Sequence, residues 1–294
     1  MGSEFLTSPF DNLLKPVDDH LIVHNELMSS LILGNKIQIH TSKHGIPDLD
    51  TTKIVIIGIP ENRNSIDYLG DELNLNEIRK SFYNLYPGNW STEIADLGNL
   101  ILGENVEQTY GRIISMLSIL FEKNIIPIII GGSHDLLYAN YRAYDSFKST
   151  VNIVNIDSNF DIGDSAKPIN NLSYLGKIIL DEPHNLFNYS NLGYQTYHNS
   201  QEEIDLMENL YFESYRLGEV CSNIRLSEPV MRDADIVSID LKSVRASELS
   251  SRQKFSPNGF DGKEICSLSR YAGISNKVSS FGIYEYKSSN EDEI

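Results

Sequence analysis

Two short apolar runs, each ending in a cluster of ionisable residues, constrain this chain more than any other feature. Ile125-Ile126-Pro127-Ile128-Ile129-Ile130 stops at Gly131-Gly132-Ser133-His134-Asp135, and Val151-Asn152-Ile153-Val154-Asn155-Ile156 stops at Asp157-Ser158-Asn159-Phe160-Asp161. Leu136 to Phe147, between them, carries helical spacing. Strand, crossover helix and strand predict a βαβ unit with parallel strands and both carboxyl ends at one edge. That edge is where open α/β sheets bind ligands.

The rest of the chain repeats the alternation. Lys53 to Ile59 is a nearly continuous apolar run, the pattern of a strand covered on both faces. Helices are expected over Leu75 to Leu85, with Ile78, Phe82 and Leu85 on one side, and over Val106 to Lys123, with a stripe of Ile113, Ile114, Leu117, Leu120 and Phe121. Ile162 to Leu172 reads as a loop over the site, Leu175 to Leu180 as a helical turn, Tyr189 to Thr196 as a strand and Glu202 to Ile224 as one long helix. Ile236 to Asp240 is a further strand. Phe255 to Gly262 is a turn-rich loop, Lys263 to Ala272 a helix, and Val278 to Tyr284 a last strand ending at Glu285. Such alternation predicts an α/β fold of three layers, α/β/α, with a mainly parallel sheet. Without low-complexity linkers or repeats, residues 1–294 are expected to form a single domain, with residues 1–50 as an N-terminal extension packed on it; Met1 to Phe5 carries no weight.

Four strand ends thus present His134, Asp157 with Asp161, Asp240 and Glu285 to one edge. Each has a bland explanation alone: a glycine turn, or an Asp capping the next helix. Together, like charges at one edge repel unless a cation or a proton lies between them. Carboxylates with one imidazole suit a hard or borderline cation such as manganese. The pairs His20/His24 and His40/His44 also have helical ligand spacing, but lie among β-branched or turn residues and read as scattered histidines.

Composition narrows the partners. A formal charge of −17 argues against nucleic acid and anionic membranes. Cys221 and Cys266 offer no disulfide framework and suit a reducing compartment. No apolar run approaches spanning length and no leader pattern is present, so a cytoplasmic location is expected.

In order along the chain, Gly131-Gly132-Ser133-His134, Asp157-Ser158-Asn159-Phe160-Asp161 and Ser238-Ile239-Asp240-Leu241-Lys242 resemble the three metal motifs of the ureohydrolases, the family of arginase, agmatinase and formiminoglutamase. The resemblance runs from about Lys53 to Glu285 and includes a turn at Pro257-Asn258-Gly259. It implies an arginase-like fold, two manganese ions that activate a water, hydrolysis of a guanidinium or formimino carbon–nitrogen bond, and a homo-oligomer. By resemblance one metal takes His134, Asp157, Asp161 and Asp240, Asp161 also orients the nucleophile, and Glu285 faces a small cationic amidine.

Two positions depart. Asn159 stands where the family has a ligating His, and Lys242 where it has a second Asp. The second metal therefore loses both private ligands, and one ion at most is expected. Lys242, two residues beyond Asp240, either places its ammonium by Asp157 and Asp240 in place of that cation or bends out to solvent. The proton-shuttling histidine of arginases has no clear match, the corresponding loop offering Ser173 and Tyr174. Two functions follow: an amidine hydrolase of formiminoglutamate-like or arginine-like substrates at an at most mononuclear site, or a catalytically inactive pseudoenzyme that keeps the fold to bind a ligand or protein. Where family chains usually continue into a covering helix, a polar tail from Ser288 to Glu293 follows the last strand; either the chain is truncated, or a partner subunit or the N-terminal extension covers that face, which adds to the expectation of an oligomer.

Overall fold

The computed structural model describes residues 10, 12–67, 70, 73–147, 150–164, 166–249 and 256–287. Met1 to Phe5, Phe255 and the tail from Ser288 lie outside them. Ten strands form one sheet: β1 Leu14–Lys15, β2 Gln38–Ile39, β3 Ile54–Ile59, β4 Ile94–Leu100, β5 Ile126–Gly131, β6 Val151–Ile156, β7 Leu186–Tyr194, β8 Glu213–Arg216, β9 Ile236–Asp240 and β10 Ser280–Tyr284. Their order is β1-β4-β3-β5-β10-β9-β6-β7-β8, with β2 also on β4. All pairings are parallel except β1 with β4. This is the expected three-layer α/β/α arrangement.

Helices α1 Asp19–Leu27, α2 Asn76–Tyr83, α3 Val106–Glu122, α4 Leu136–Arg142, α5 Tyr174–Leu180, α6 Gln201–Asn209, α7 Leu217–Ser222, α8 Ser227–Arg232 and α9 Gly262–Ile274 connect the strands. The two sheet faces carry separate cores. Val151, Ile153 and Ile236 join the buried residues of α3, α4 and α5, whereas Val154, Ile156, Val237 and Ile239 join those of α7, α8 and α9. Because side chains alternate along a strand, this division places Asp157 and Asp240 on the first face, in phase with Ile153 and Ile236.

Several expectations need correction. β5 and β6 are parallel but not adjacent, since β10 and β9 lie between them. The stretch read as one helix over Glu202 to Ile224 is α6, β8 and α7. Tyr211 adopts a left-handed backbone with φ 58°, which stops α6 and turns the chain back into the sheet. Strand β4 has no counterpart among the expected strands, because its buried Asp96 and its Asn99 disguise it. Arg79 supplies the reason: its Nε donates to Asp96 at 2.9 Å and its Nη1 to Asn99 at 2.7 Å, while the Tyr83 hydroxyl also donates to Asp96 at 2.8 Å. So α2 buries Arg79 and Tyr83, and Leu85 is exposed. The first fifty residues contribute β1 and β2 to the sheet rather than only lying on it. No described helix is long and apolar enough to cross a membrane.

Candidate metal centre

The candidate centre is built by four neighbouring strands, β5-β10-β9-β6. Register aligns them: Ile283 pairs with Ile130 on one side and with Ile239 on the other, and Ile239 pairs with Ile156. One step further, the chain leaves the sheet at Gly131, Tyr284, Asp240 and Asp157. Parallel strands in step therefore deliver their ends to one place, although they come from distant parts of the sequence.

The β5 end needs its glycines. Ser133 N donates to the Glu61 carbonyl at 2.9 Å and Gly132 N to that of Ile59 at 3.0 Å, drawing the end of β3 against this turn. A Cβ on Gly132 would lie 2.1 Å from the Glu61 carbonyl oxygen, a distance no side chain tolerates. On the other side, Glu285 N donates to the Gly132 carbonyl, and His134 N donates to Glu285 Oε1 at 3.0 Å. Glu285 thus pins the turn that carries His134. Asp161 and Glu285 both hold left-handed backbones, φ 56° and 59°. For residues other than Gly this costs about 1–2 kcal/mol each.

His134 is fully buried between the rings of Tyr174 and Tyr284, at centroid distances of 4.5 and 5.2 Å. Its Nε2 shares a 2.8 Å hydrogen bond with Ser238 Oγ on β9. Its Nδ1 faces three carboxylates: Asp157 at 3.2 Å, Asp240 at 3.3 Å and Asp161 at 3.5 Å. One ligand atom from each of the four residues falls within 4.8 Å of the others, and all four are buried. This is the only such His, Cys, Asp and Glu group among the described residues.

The polar accounting around this cluster is incomplete. Both Asp161 oxygens are buried with no hydrogen-bond partner, and Nδ1 has no properly directed one. Burial alone would lower the basicity of His134, but the carboxylates of Asp157, Asp161 and Asp240 hold it well above the usual imidazole range. Burial and the neighbouring Asp157 charge push the Asp161 carboxyl well up. Three carboxylates packed this closely demand positive charge among them, as a proton or as a metal cation. A neutral imidazole with Nε2–H directed at Ser238 would aim its Nδ1 lone pair at the space between the three Asp side chains. The donor set fits a hard or borderline divalent cation.

Asn159 and Lys242 are both engaged elsewhere. Asn159 Nδ2 donates to the His198 carbonyl at 3.3 Å and its Oδ1 accepts from Ser158 Oγ, while its backbone N–H donates to Asp157 Oδ1 at 3.0 Å. Lys242 lies in a 3₁₀ turn after β9 rather than on the strand. Its ammonium sits 2.8 Å from Glu285 Oε2 and 3.7 Å from Asp67. No ion pair joins it to Asp157 or Asp240 within 4 Å among the described residues, so it does not stand between those two carboxylates as expected. Nor does it bend out to solvent. Burial would lower its basicity, but the charges of Asp240 and Glu285 raise it, and it stays an ammonium. Glu285 Oε1 accepts from Asn171 Nδ2 at 3.1 Å as well as from His134 N, whereas Oε2 has the ammonium as an ion-pair partner and no directed hydrogen bond.

Sequence reading missed Ser238, Asn155 and Asn171. Asn155 Nδ2 lies within 3.2 Å of Asp157 Oδ2, Tyr174 OH and Tyr189 OH, and holds the Asp157 carboxylate in place. Ser238 and Asn155 each precede a carboxylate by two positions on a strand, a same-face relation visible in the sequence. Asn171, in the loop before α5, offered no such signal. The His20/His24 and His40/His44 pairs form no metal group; His40 Nδ1 bonds the Leu97 carbonyl at 2.9 Å.

A model of the arginase family matches residues 52–293. Formimidoylglutamase of Macrococcus caseolyticus is 29% identical over 157 residues, covering 51% of this chain and 48% of that protein. Formimidoylglutamase of Lysinibacillus sphaericus is 24% identical over 145 residues, 48% of this chain and 44% of its own. The match therefore spans about half the length of these curated relatives. Among solved structures, Trypanosoma cruzi formiminoglutamase with Mn2+2 superposes with a TM-score of 0.72 at 17% identity, covering 81% of this chain and 86% of that one. Formimidoylglutamase of Bacillus subtilis gives 0.73 at 17% identity, with coverage of 87% and 84%. Agmatine ureohydrolase of Thermoplasma volcanium gives 0.67 at 18%, with coverage of 90% and 89%. At such identities these structures establish the shared fold.

Proposed function

The chain belongs to the arginase family, and on that premise we propose that it hydrolyses a linear amidine carbon–nitrogen bond, of formiminoglutamate type before arginine type, with one divalent cation, manganese, held by His134, Asp157, Asp161 and Asp240. The observation that carries this reading is a set of unpaired polar atoms in a buried cluster. Nδ1 of His134 and both oxygens of Asp161 lack directed partners where three carboxylates converge. The curated relatives support the formiminoglutamate assignment, and a neighbour solved with Mn2+2 supports the metal.

A cation bound there would lower the pKa of a water and polarise the electrophile. The remaining work falls to the chain. Asp161, free of other partners, has an oxygen with which to accept a proton from an attacking water and orient it. Tyr174 and Tyr284 wall the pocket and exclude bulk water from the imidazole. Glu285 is the carboxylate available to a cationic amidine, which has to compete with Lys242 for it. The commitment of Asn159 and Lys242 to other partners supports a mononuclear site, because neither supplies a ligand to a second ion.

The test is product release by the manganese-loaded protein, with formiminoglutamate, arginine and agmatine offered separately. Formamide release from formiminoglutamate, abolished by Asp161→Asn, is the expected result. A metal-loaded protein that releases neither formamide, ammonia nor urea from any of the three would leave the non-catalytic binding protein as the surviving reading.

A further inference from the structure

A second concave site lies at the carboxyl ends of β7 and β8, outside the acidic centre. It encloses about 420 Å³ and shares no residue with the His134 cluster. Its size falls within the range of small-molecule pockets. Arg216, from the end of β8, and Arg245, from the segment after β9, both line it, and Glu264 is the one acidic residue in its wall. The lining carries two guanidinium groups and one carboxylate, with Asp261 at the start of α9 beside Arg245.

Neither arginine has every donor paired. Arg245 approaches Asp261 at 3.5 Å and Glu264 at 3.8 Å, longer than a direct hydrogen bond. In capping α9, Asp261 Oδ1 accepts from Glu264 N and Glu264 Oε2 from Asp261 N at 2.8 Å each, and Asp261 Oδ2 is the oxygen that faces Arg245. Arg245 Nε is buried with no hydrogen-bond partner. Arg216 donates from Nε to the Tyr194 hydroxyl at 3.1 Å, and no ion pair reaches it within 4 Å among the described residues. The lining is also polar: Asn258 Nδ2 donates to Gln195 Oε1 at 3.0 Å and to the Tyr197 hydroxyl at 2.9 Å. An exposed Arg216 and an Arg245 with an unpartnered Nε in one lining offer guanidinium donors suited to an oxyanion, which they bind through charge-assisted hydrogen bonds.

We infer that this cavity is a binding site for a small oxyanion, the carboxylate or phosphate of a metabolite, held by Arg216 and Arg245. The site is independent of the amidine-hydrolase reading and stands if that reading fails. Titration of the full chain with inorganic phosphate and, separately, L-glutamate, followed by calorimetry, tests it. Saturable binding of either probe is expected, phosphate alone identifying a phosphate ligand and glutamate alone a carboxylate one. Arg216→Gln and Arg245→Gln should each weaken it at least about tenfold, the loss of a charged hydrogen bond. Should Arg245→Gln not fold, because Arg245 steadies the start of α9, Arg216→Gln decides alone. Asp161→Asn should leave the affinity unchanged. No saturable binding of either probe, wild-type affinity in the folded arginine variants, or loss of binding in Asp161→Asn would overturn the assignment.

Discussion

Lys242 and Ser238 show how single residues set the character of this centre. Lys242 holds its ammonium 2.8 Å from Glu285, where it competes with any cation seeking that carboxylate. Replacing it with Met should therefore tighten binding of a cationic amidine such as agmatine by about tenfold, the worth of one charge-assisted contact. Competition binding measures this, and unchanged affinity in a folded variant would show that Glu285 does not receive the cation. Ser238 acts on the far side of His134, fixing the ring through Nε2 at 2.8 Å. Ser238→Ala should weaken manganese binding by about tenfold, as removal of such an orienting partner does elsewhere. An electron-paramagnetic-resonance titration of free manganese reads that change, and wild-type affinity would mean that packing between Tyr174 and Tyr284 suffices to orient the ring.

At the scale of elements, what could be read from the sequence depended on whether burial was apolar. β3, β5, β6 and β9 announced themselves as apolar runs, and their ionisable ends pointed to His134, Asp157 and Asp240 before any coordinates. β4 did not, because Asp96 and Asn99 sit inside it and are tolerated only through Arg79, a partner from another element. The α6–β8 boundary was equally illegible: the apolar spacing carried on through Leu210 and Phe212, and only the left-handed turn at Tyr211 separates helix from strand. The destination of Lys242 also depended on tertiary context, since the end of β9 at Asp240 turned its side chain toward Glu285. The Arg79–Asp96 pair makes a prediction about α2 and β4. Arg79→Met leaves Asp96 buried and uncompensated and should cost about 3–5 kcal/mol of stability, measured by urea denaturation. The double variant Arg79→Met with Asp96→Asn should recover part of that loss; equal loss in both would show that Arg79 acts by packing alone.

For the whole molecule, the sheet is a frame that brings four separate strand ends into one buried acidic pocket while helices on both faces hold the strands in register. A cation that binds the folded chain and not the unfolded one stabilises it by mass action, by about 2.7 kcal/mol at a hundredfold excess over its dissociation constant. Manganese should accordingly raise the melting temperature of the wild type in a concentration-dependent way, and it should leave that of His134→Ala unmoved. An equal rise in both would place the ion elsewhere. The most direct test of the proposed mononuclear centre is a count of manganese per chain after equilibrium dialysis, by elemental analysis, for the wild type and for Asp161→Asn. One ion per wild-type chain, and none in the variant, is the expected result. Two ions per chain, or none at saturating manganese, would contradict it.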